Sequence, residues 1–184
     1  MSKLKVTTIA DPDNDNTAIS IDTSGNITIP NNATFSGTVA GAGKVLQVVQ
    51  TDTNTNTTTT STSYVDTALT ASITPTSATS KILVMVAPLL YISRNGASMI
   101  FGDCYFNILR GATQLHAGRM SINFNNTTWA DFMQKSSLIY LDSPSTTSST
   151  TYKMQIRTGA TGLEVQNNVG GSGNSTITLM EISA

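Results

Sequence analysis

Residues 81–93, KILVMVAPLLYIS, form the most apolar run of the chain. A half-buried antiparallel strand alternates apolar and polar residues, whereas this run is apolar on both faces of an extended chain. Pro88 has no backbone N–H to donate, so it marks a bulge, a bend or the join between two shorter strands. We therefore predict a buried strand pair covered on both sides. The second cover is either a second sheet or another subunit, which favours an oligomer.

The composition predicts an all-β protein without an electrostatic partner. The 184 residues include 31 Thr and 21 Ser but only two Glu and six Lys, a balance poor in helix formers. Charged residues make up 11% of the chain and the net charge is -1, so no basic field is available for nucleic acid or a membrane surface. The apolar run at residues 81–93 is too short to span a bilayer, which takes about 20 residues as a helix.

The chain divides by composition near residue 43. Residues 1–43 contain frequent turns and very short alternating runs at residues 19–21, 27–29 and 34–36, too few apolar side chains for a core from one copy. This pattern predicts an extended β stalk or arm in which three copies share an axis, and a disordered tail is the alternative. The first ten residues lack the apolar core of a secretion signal, so we expect synthesis in a cytoplasm.

Residues 44–184 predict eight or nine strands in a two-sheet jelly roll. Alternation is clean at residues 65–73 and 151–158, where Tyr152, Met154 and Ile156 are expected to point inward. Residues 104–110 and 114–116 predict a hairpin around a turn at residues 111–113. Residues 123–128 are interpreted as a polar loop, and the spacing of Trp129, Phe132 and Met133 also fits one helical turn.

Several stretches resemble tail fibre and appendage proteins of marine bacteriophages. They are residues 1–10, 32–37, 43–50, 61–66, 137–144 and 175–182. The resemblance implies that the N-terminal arm (1–43) docks on other virion proteins, such as a tail adaptor, nozzle or capsid protein. It also implies a homotrimeric head, because residues 44–184 look similar to a complement-type or tumour-necrosis-factor-type jelly roll.

The resemblance predicts a non-enzymatic phage tail fibre whose head binds the host surface, and therefore a location in the virion. A capsid decoration or head-fibre protein with a structural or weak-adhesion role is the alternative. A cellular adhesin-like module is a third class.

Catalytic and metal chemistry find little support in the sequence. Residues 11–15 resemble part of a calcium loop, but Asn16 stands where the loop needs Gly and a bidentate Glu is missing. His116 is the single histidine and has no spacing that suits a charge-relay site, and Cys104 is interpreted as a small core residue. We therefore predict no enzymatic activity, no cofactor and no metal.

The candidate receptor-binding residues lie in one amide-rich stretch, residues 123–129. Trp129 with the neighbouring amides of Asn123, Asn125 and Asn126 suits stacking on a sugar and hydrogen bonding to it. A buried Trp129 that closes the sandwich is the alternative interpretation. The predicted partner is a host glycan or protein.

Overall fold

The computed structural model describes residues 8–10, 17–29, 44–94, 101–123, 131–171 and 173–184. The chain falls into two compact units, Met1–Gly41 and Ala42–Ala184. Within the described residues the regular structure is antiparallel β-sheet apart from one short 3-10 helix, Val169–Gly171. The all-β prediction is therefore confirmed. The stalk, its anchoring role and the trimer stay predictions.

The first unit contains a small antiparallel sheet in the order β1-β2-β3, with strands Thr8–Ala10, Thr17–Ile21 and Ile27–Thr28. Asp22 stabilises the turn between β2 and β3, since its Oδ1 accepts hydrogen bonds from the backbone N–H groups of Ser24 and Asn26, both at 2.8 Å. The side-chain amide of Asn26 also donates to Asp22 Oδ2 at 2.8 Å, and the side-chain and backbone hydrogen bonds from Asn26 hold the pKa of Asp22 below its usual value. The Ile27 side chain is 64% exposed. The predicted runs at 11–15 and 34–36 lie outside the described residues.

Among its described residues, the second unit contains twelve strand segments. They are β4 (Val45–Thr53), β5 (Thr57–Thr59), β6 (Val65–Ile73), β7 (Lys81–Ala87), β8 (Leu89–Arg94), β9 (Phe101–Arg110), β10 (Thr113–Asn123), β11 (Asp131–Lys135), β12 (Leu138–Asp142), β13 (Thr150–Thr158), β14 (Leu163–Asn167) and β15 (Ser175–Ile182). Pro88 separates β7 from β8, so the predicted join is confirmed. The helical turn considered for residues 129–133 is wrong where the structure describes it, because β11 pairs with β8 from Asp131 onward.

These segments make eight passes of the chain through two sheets. The orders β12-β7-β15-β4 and β11-β8-β14-β5 form successive halves of one long sheet, because each strand of one order is next along the chain to the strand at the same place in the other. The connection between β14 and β15 contains the 3-10 helix. The other sheet has the order β10-β9-β13-β6. Apart from the hairpin of β9 and β10, the passes that pair are distant in sequence, as in a jelly roll. The two sheets will be called the long sheet and the short sheet.

One core lies between the two sheets. Tyr152, Met154 and Ile156 of the short sheet are fully buried, as the alternation predicts, while Val84 and Leu179 bury the facing side of the long sheet. The predicted burial of residues 81–93 on both faces holds for β8 within a single copy, where Leu89 and Ser93 are buried as well as Leu90 and Ile92. In β7 it holds for one face only. The inward residues of β7 are buried, whereas Leu83 and Met85 on its outer face are half-buried.

Candidate interaction surfaces

The outer face of the long sheet carries two adjacent cross-strand rows that contain no charged residue. Strand pairing places Leu141, Leu83, Met180 and Val48 in the first row, and Ile139, Met85, Thr178 and Gln50 in the second. The name apolar face is used here for Val48, Leu83, Met85, Ile139, Leu141 and Met180. Alternation along each strand sets this face, because the intervening residues, such as Val84 and Leu179, point into the core.

The apolar face remains substantially open in a single copy. Val48 is 54% exposed, Ile139 59% and Leu141 52%. The nearest charges on this side of the sheet lie in the flanking rows at the two ends of the face, where Lys81 pairs with Ile182 and Asp52 pairs with Thr176. A contiguous exposed apolar patch on a soluble domain marks an interaction surface. Its chemistry suits burial against another protein.

A second surface lies on the outer face of the short sheet, at the ends of β9 and β10. Here a cavity of about 410 Å³ is lined by Phe101, Asp103, Arg119, Ser121, Ile122 and Asn123. The hairpin register creates it by pairing Asn123 with Phe101 and Ser121 with Asp103. This surface will be called the polar groove. The Phe101 side chain is 66% exposed, so the groove presents an open aromatic ring beside polar groups.

The polar groups of the groove are held by their neighbours. Ser121 Oγ donates to Asp103 Oδ1 at 2.5 Å, and Arg119 Nε lies 3.9 Å from the same oxygen. A hydrogen bond with Tyr105 and the charge of Asp103 raise the pKa of Arg119. The Arg157 guanidinium in turn stacks on Tyr105 at 3.9 Å from the ring centroid. The polar groove therefore lies at one end of a series of polar and aromatic side-chain contacts that runs across β10, β9 and β13.

The structure places one of the four predicted receptor-binding residues on this surface. Asn123 lines the groove, whereas Asn125, Asn126 and Trp129 lie outside the described residues, so their role stays a prediction. Sequence reasoning did not identify Phe101, Asp103 and Arg119 as members of one site. The hairpin turn could be predicted from the sequence, but the register of the hairpin could not. A β-bulge between Gln114 and His116 shifts that register, and no sequence pattern indicates the bulge.

Cys104 and His116, the residues considered for catalysis, lie in environments that do not suit a catalytic role. Cys104 is fully buried in the core, and burial raises the pKa of its thiol to about 12. His116 is exposed and stacks on Tyr140 at 5.8 Å between ring centroids. Among the described residues, no cluster of three His, Cys, Asp or Glu could hold a metal ion. No helix in that part of the chain is long and apolar enough to cross a membrane.

No protein-family model and no curated protein matches the chain. Among solved structures, T=1 particles derived from infectious bursal virus match at 15% identity with a TM-score of 0.37, covering 85% of this chain and 41% of that one. The infectious bursal disease virus Gx strain matches at 15% identity with a TM-score of 0.30, covering 85% of this chain and 43% of that one. Dimeric latent PorU from Porphyromonas gingivalis matches at 10% identity with a TM-score of 0.34, covering 81% of this chain and 14% of that one.

This chain therefore spans less than half the length of each of these proteins. With TM-scores this low, the similarities identify neither a family nor a function.

Proposed function

We propose that the chain is a non-enzymatic structural protein of a virion, a homotrimeric tail fibre whose head, residues 44–184, binds the host surface. The observation that carries the proposal is the apolar face of the long sheet. A monomeric protein gains nothing from leaving such a face open, whereas a subunit of a permanent assembly buries it. The sequence resemblance to phage appendage proteins is the basis for proposing a location in the virion and binding to the host surface.

The occupant of the apolar face is a copy of the same chain. The face lacks charges across both rows, so it offers no electrostatic selection for a foreign partner. Its ends carry one Lys81 and one Asp52, a balanced pair that an identical neighbour can match. Three copies rather than two are proposed because the exposed isoleucines of the first unit, including Ile27, give each copy one narrow apolar edge, which suits a shared threefold axis.

Burial of the apolar face stabilises the assembly by several kcal/mol per subunit. A large aliphatic side chain contributes about 1.5–3 kcal/mol when it passes from full exposure to full burial. Val48, Ile139 and Leu141 begin about half exposed, so each contributes about 1 kcal/mol, and the half-buried residues contribute less. One charge placed in the middle of this face is expected to offset most of that gain, because an unpaired charge is strongly disfavoured in an apolar interface.

Light scattering on the purified chain tests the assembly. We expect a mass of three times 19.4 kDa for the wild type and a folded monomer for Leu141→Asp. Ala117→Asp is the matched control, since it adds the same charge at an exposed position on the edge strand of the short sheet, and it is expected to remain trimeric. A monodisperse wild-type monomer at micromolar concentration contradicts the proposal. A Leu141→Asp protein that stays trimeric shows that the interface lies elsewhere.

Competition for the host separates a tail fibre from a capsid decoration protein. Full-length trimer added in excess is expected to block adsorption of intact virus, because it occupies the same receptors through several weak contacts at once. Unchanged adsorption at high trimer concentration, together with normal adsorption of particles that lack the protein, contradicts the tail-fibre function and favours the decoration alternative.

A further inference from the structure

The polar groove combines an exposed aromatic ring with hydrogen-bonding groups of both kinds. Phe101 offers an open ring face, Asp103 is an acceptor, and the guanidinium of Arg119 and the amide of Asn123 are donors. The cavity of about 410 Å³ falls in the size range of small-ligand sites. We propose that this groove binds a neutral pyranose residue of a host-surface glycan, an inference that rests on the proposed host-binding function of the head.

The charges in the groove favour a neutral ligand. The Asp103 carboxylate and the Arg119 guanidinium lie 3.9 Å apart, so each offsets the field of the other. The remaining lining residues are uncharged. A phosphate or carboxylate bound to Arg119 would also lie close to Asp103, and it would have to overcome the repulsion from that carboxylate. A sugar hydroxyl instead can donate to the carboxylate and accept from the guanidinium, which uses both charged groups.

The groove is organised before any ligand arrives. Ser121 fixes the Asp103 carboxylate, and the strand bearing Asp103 packs tightly against Gly159. A Cβ atom at Gly159 would lie 2.6 Å from Asp103 Cβ, closer than two carbon atoms can approach, so the position requires glycine. Side chains that are already held lose little conformational entropy when a ligand binds. The Asp103 carboxylate is therefore held in place, and the ring of Phe101 closes one side of the groove.

Each part of a pyranose has a counterpart in the groove. The C–H face of the sugar packs on the Phe101 ring, and hydroxyl groups at the sugar edge reach Asp103 and Asn123. One such site gives weak binding because the groove is open and small. Three identical sites on a trimer raise the effective affinity through simultaneous engagement. This arrangement suits an appendage that samples a dense glycan surface.

Two-dimensional amide NMR on isotope-labelled full-length protein tests the inference, with methyl glucoside, galactoside and mannoside pyranosides as probes at millimolar concentrations. We expect saturable shifts centred on β9 and β10 with at least one of the three sugars. Phe101→Ala and Asp103→Asn are each expected to weaken binding at least about tenfold, the equivalent of 1.4 kcal/mol. The matched controls are Met133→Ala, which removes another half-exposed apolar side chain, and Asp66→Asn on β6, which neutralises a carboxylate outside the groove and outside the apolar face; both are expected to bind as the wild type does.

Thermal midpoints of all variants confirm that they are folded, which is expected because Phe101 is mostly exposed. Absence of saturable shifts with all three sugars overturns the inference, and so does binding that survives both groove substitutions. These outcomes are distinct from failure of the proposed function, because mass measurement and virus competition do not depend on which molecule occupies the groove.

Discussion

Asp142 connects the two sheets through a buried hydrogen-bond network, and its replacement by Asn tests how much that network stabilises the fold. Arg110 Nη1 of β9 donates to both carboxylate oxygens of Asp142 at 2.9 and 2.8 Å. The Tyr152 hydroxyl of β13 donates to Oδ2 at 2.7 Å. The side chains of Arg110 and Asp142 are 29% and 6% exposed, and Tyr152 is fully buried.

The expected cost of Asp142→Asn follows from these exposures. Removing one partner of a buried ion pair costs about 3–5 kcal/mol because the other charge stays desolvated. Arg110 retains access to water, and the amide still accepts one hydrogen bond, so we expect about 2–3 kcal/mol. Tyr152→Phe removes one hydrogen bond to a charged acceptor and is expected to cost about 1.5 kcal/mol. The double variant should cost less than the sum, by about 1 kcal/mol, because both changes remove the same bond.

Urea unfolding at one fixed protein concentration measures these values, since stability of an oligomer depends on concentration. Asp66→Asn is the matched control. Asp66 forms an ion pair with Lys153 at the same 2.8 Å distance, but its side chain is 54% exposed, so the expected cost is below about 1 kcal/mol. Equal losses for Asp142→Asn and Asp66→Asn would refute the reasoning from burial. Strict additivity of Asp142→Asn and Tyr152→Phe would show that they do not act through one network.

Glu181 is expected to make the free energy of unfolding fall in acid. This residue is fully buried, and burial alone raises its pKa. Hydrogen bonds from Gln47 and Thr76 outweigh that effect and lower the pKa from 4.5 to about 2. The stabilisation by Glu181 is fully present above pH 4.5, the pKa of the unfolded chain, and is lost as the pH falls toward about 2. We expect the wild type to lose about 1–2 kcal/mol of unfolding free energy over this range, and Glu181→Gln to show no such loss. Identical pH profiles of the two proteins in urea unfolding would contradict this. Gly118→Ala is expected to destabilise the head by about 1–3 kcal/mol, because its Cβ atom would lie 2.8 Å from Phe106 Cζ; an unchanged thermal midpoint would show that Phe106 moves aside without cost.

The fold class and the faces of individual strands could be predicted from sequence because side-chain alternation is a local property. The inward set Tyr152, Met154 and Ile156 is fully buried, as predicted. The turn at Gly111 was placed correctly, and Gly111 has a φ of 57°, in the left-handed region that glycine tolerates. The hairpin is longer than predicted, since β10 runs from Thr113 to Asn123 rather than over residues 114–116. Asn123, predicted as the first residue of a polar loop, is the last residue of this strand. Pairing with β9 overrides that local signal.

The candidate surfaces divide in the same way. Two-sided apolarity in residues 81–93 predicts a cover on both faces, by a second sheet or by another subunit. The structure buries both faces of β8 and leaves the outer side of β7 partly open, where Leu83 and Met85 meet Ile139 and Leu141. The polar groove depends instead on the register between β9 and β10 and on a bulge, so Asp103 and Ser121 become neighbours only in the folded hairpin.

The sequence by itself determined which side chains each strand turns inward and which runs are apolar on both faces, because the period of an extended chain is fixed by its backbone geometry. Only the tertiary structure decided which polar groups meet. Glu181 meets Gln47 across 134 positions of sequence, and Arg110 meets Asp142 across 32. Such contacts depend on the order of strands in two sheets and on their registers, which are set by packing of the whole core rather than by any local pattern.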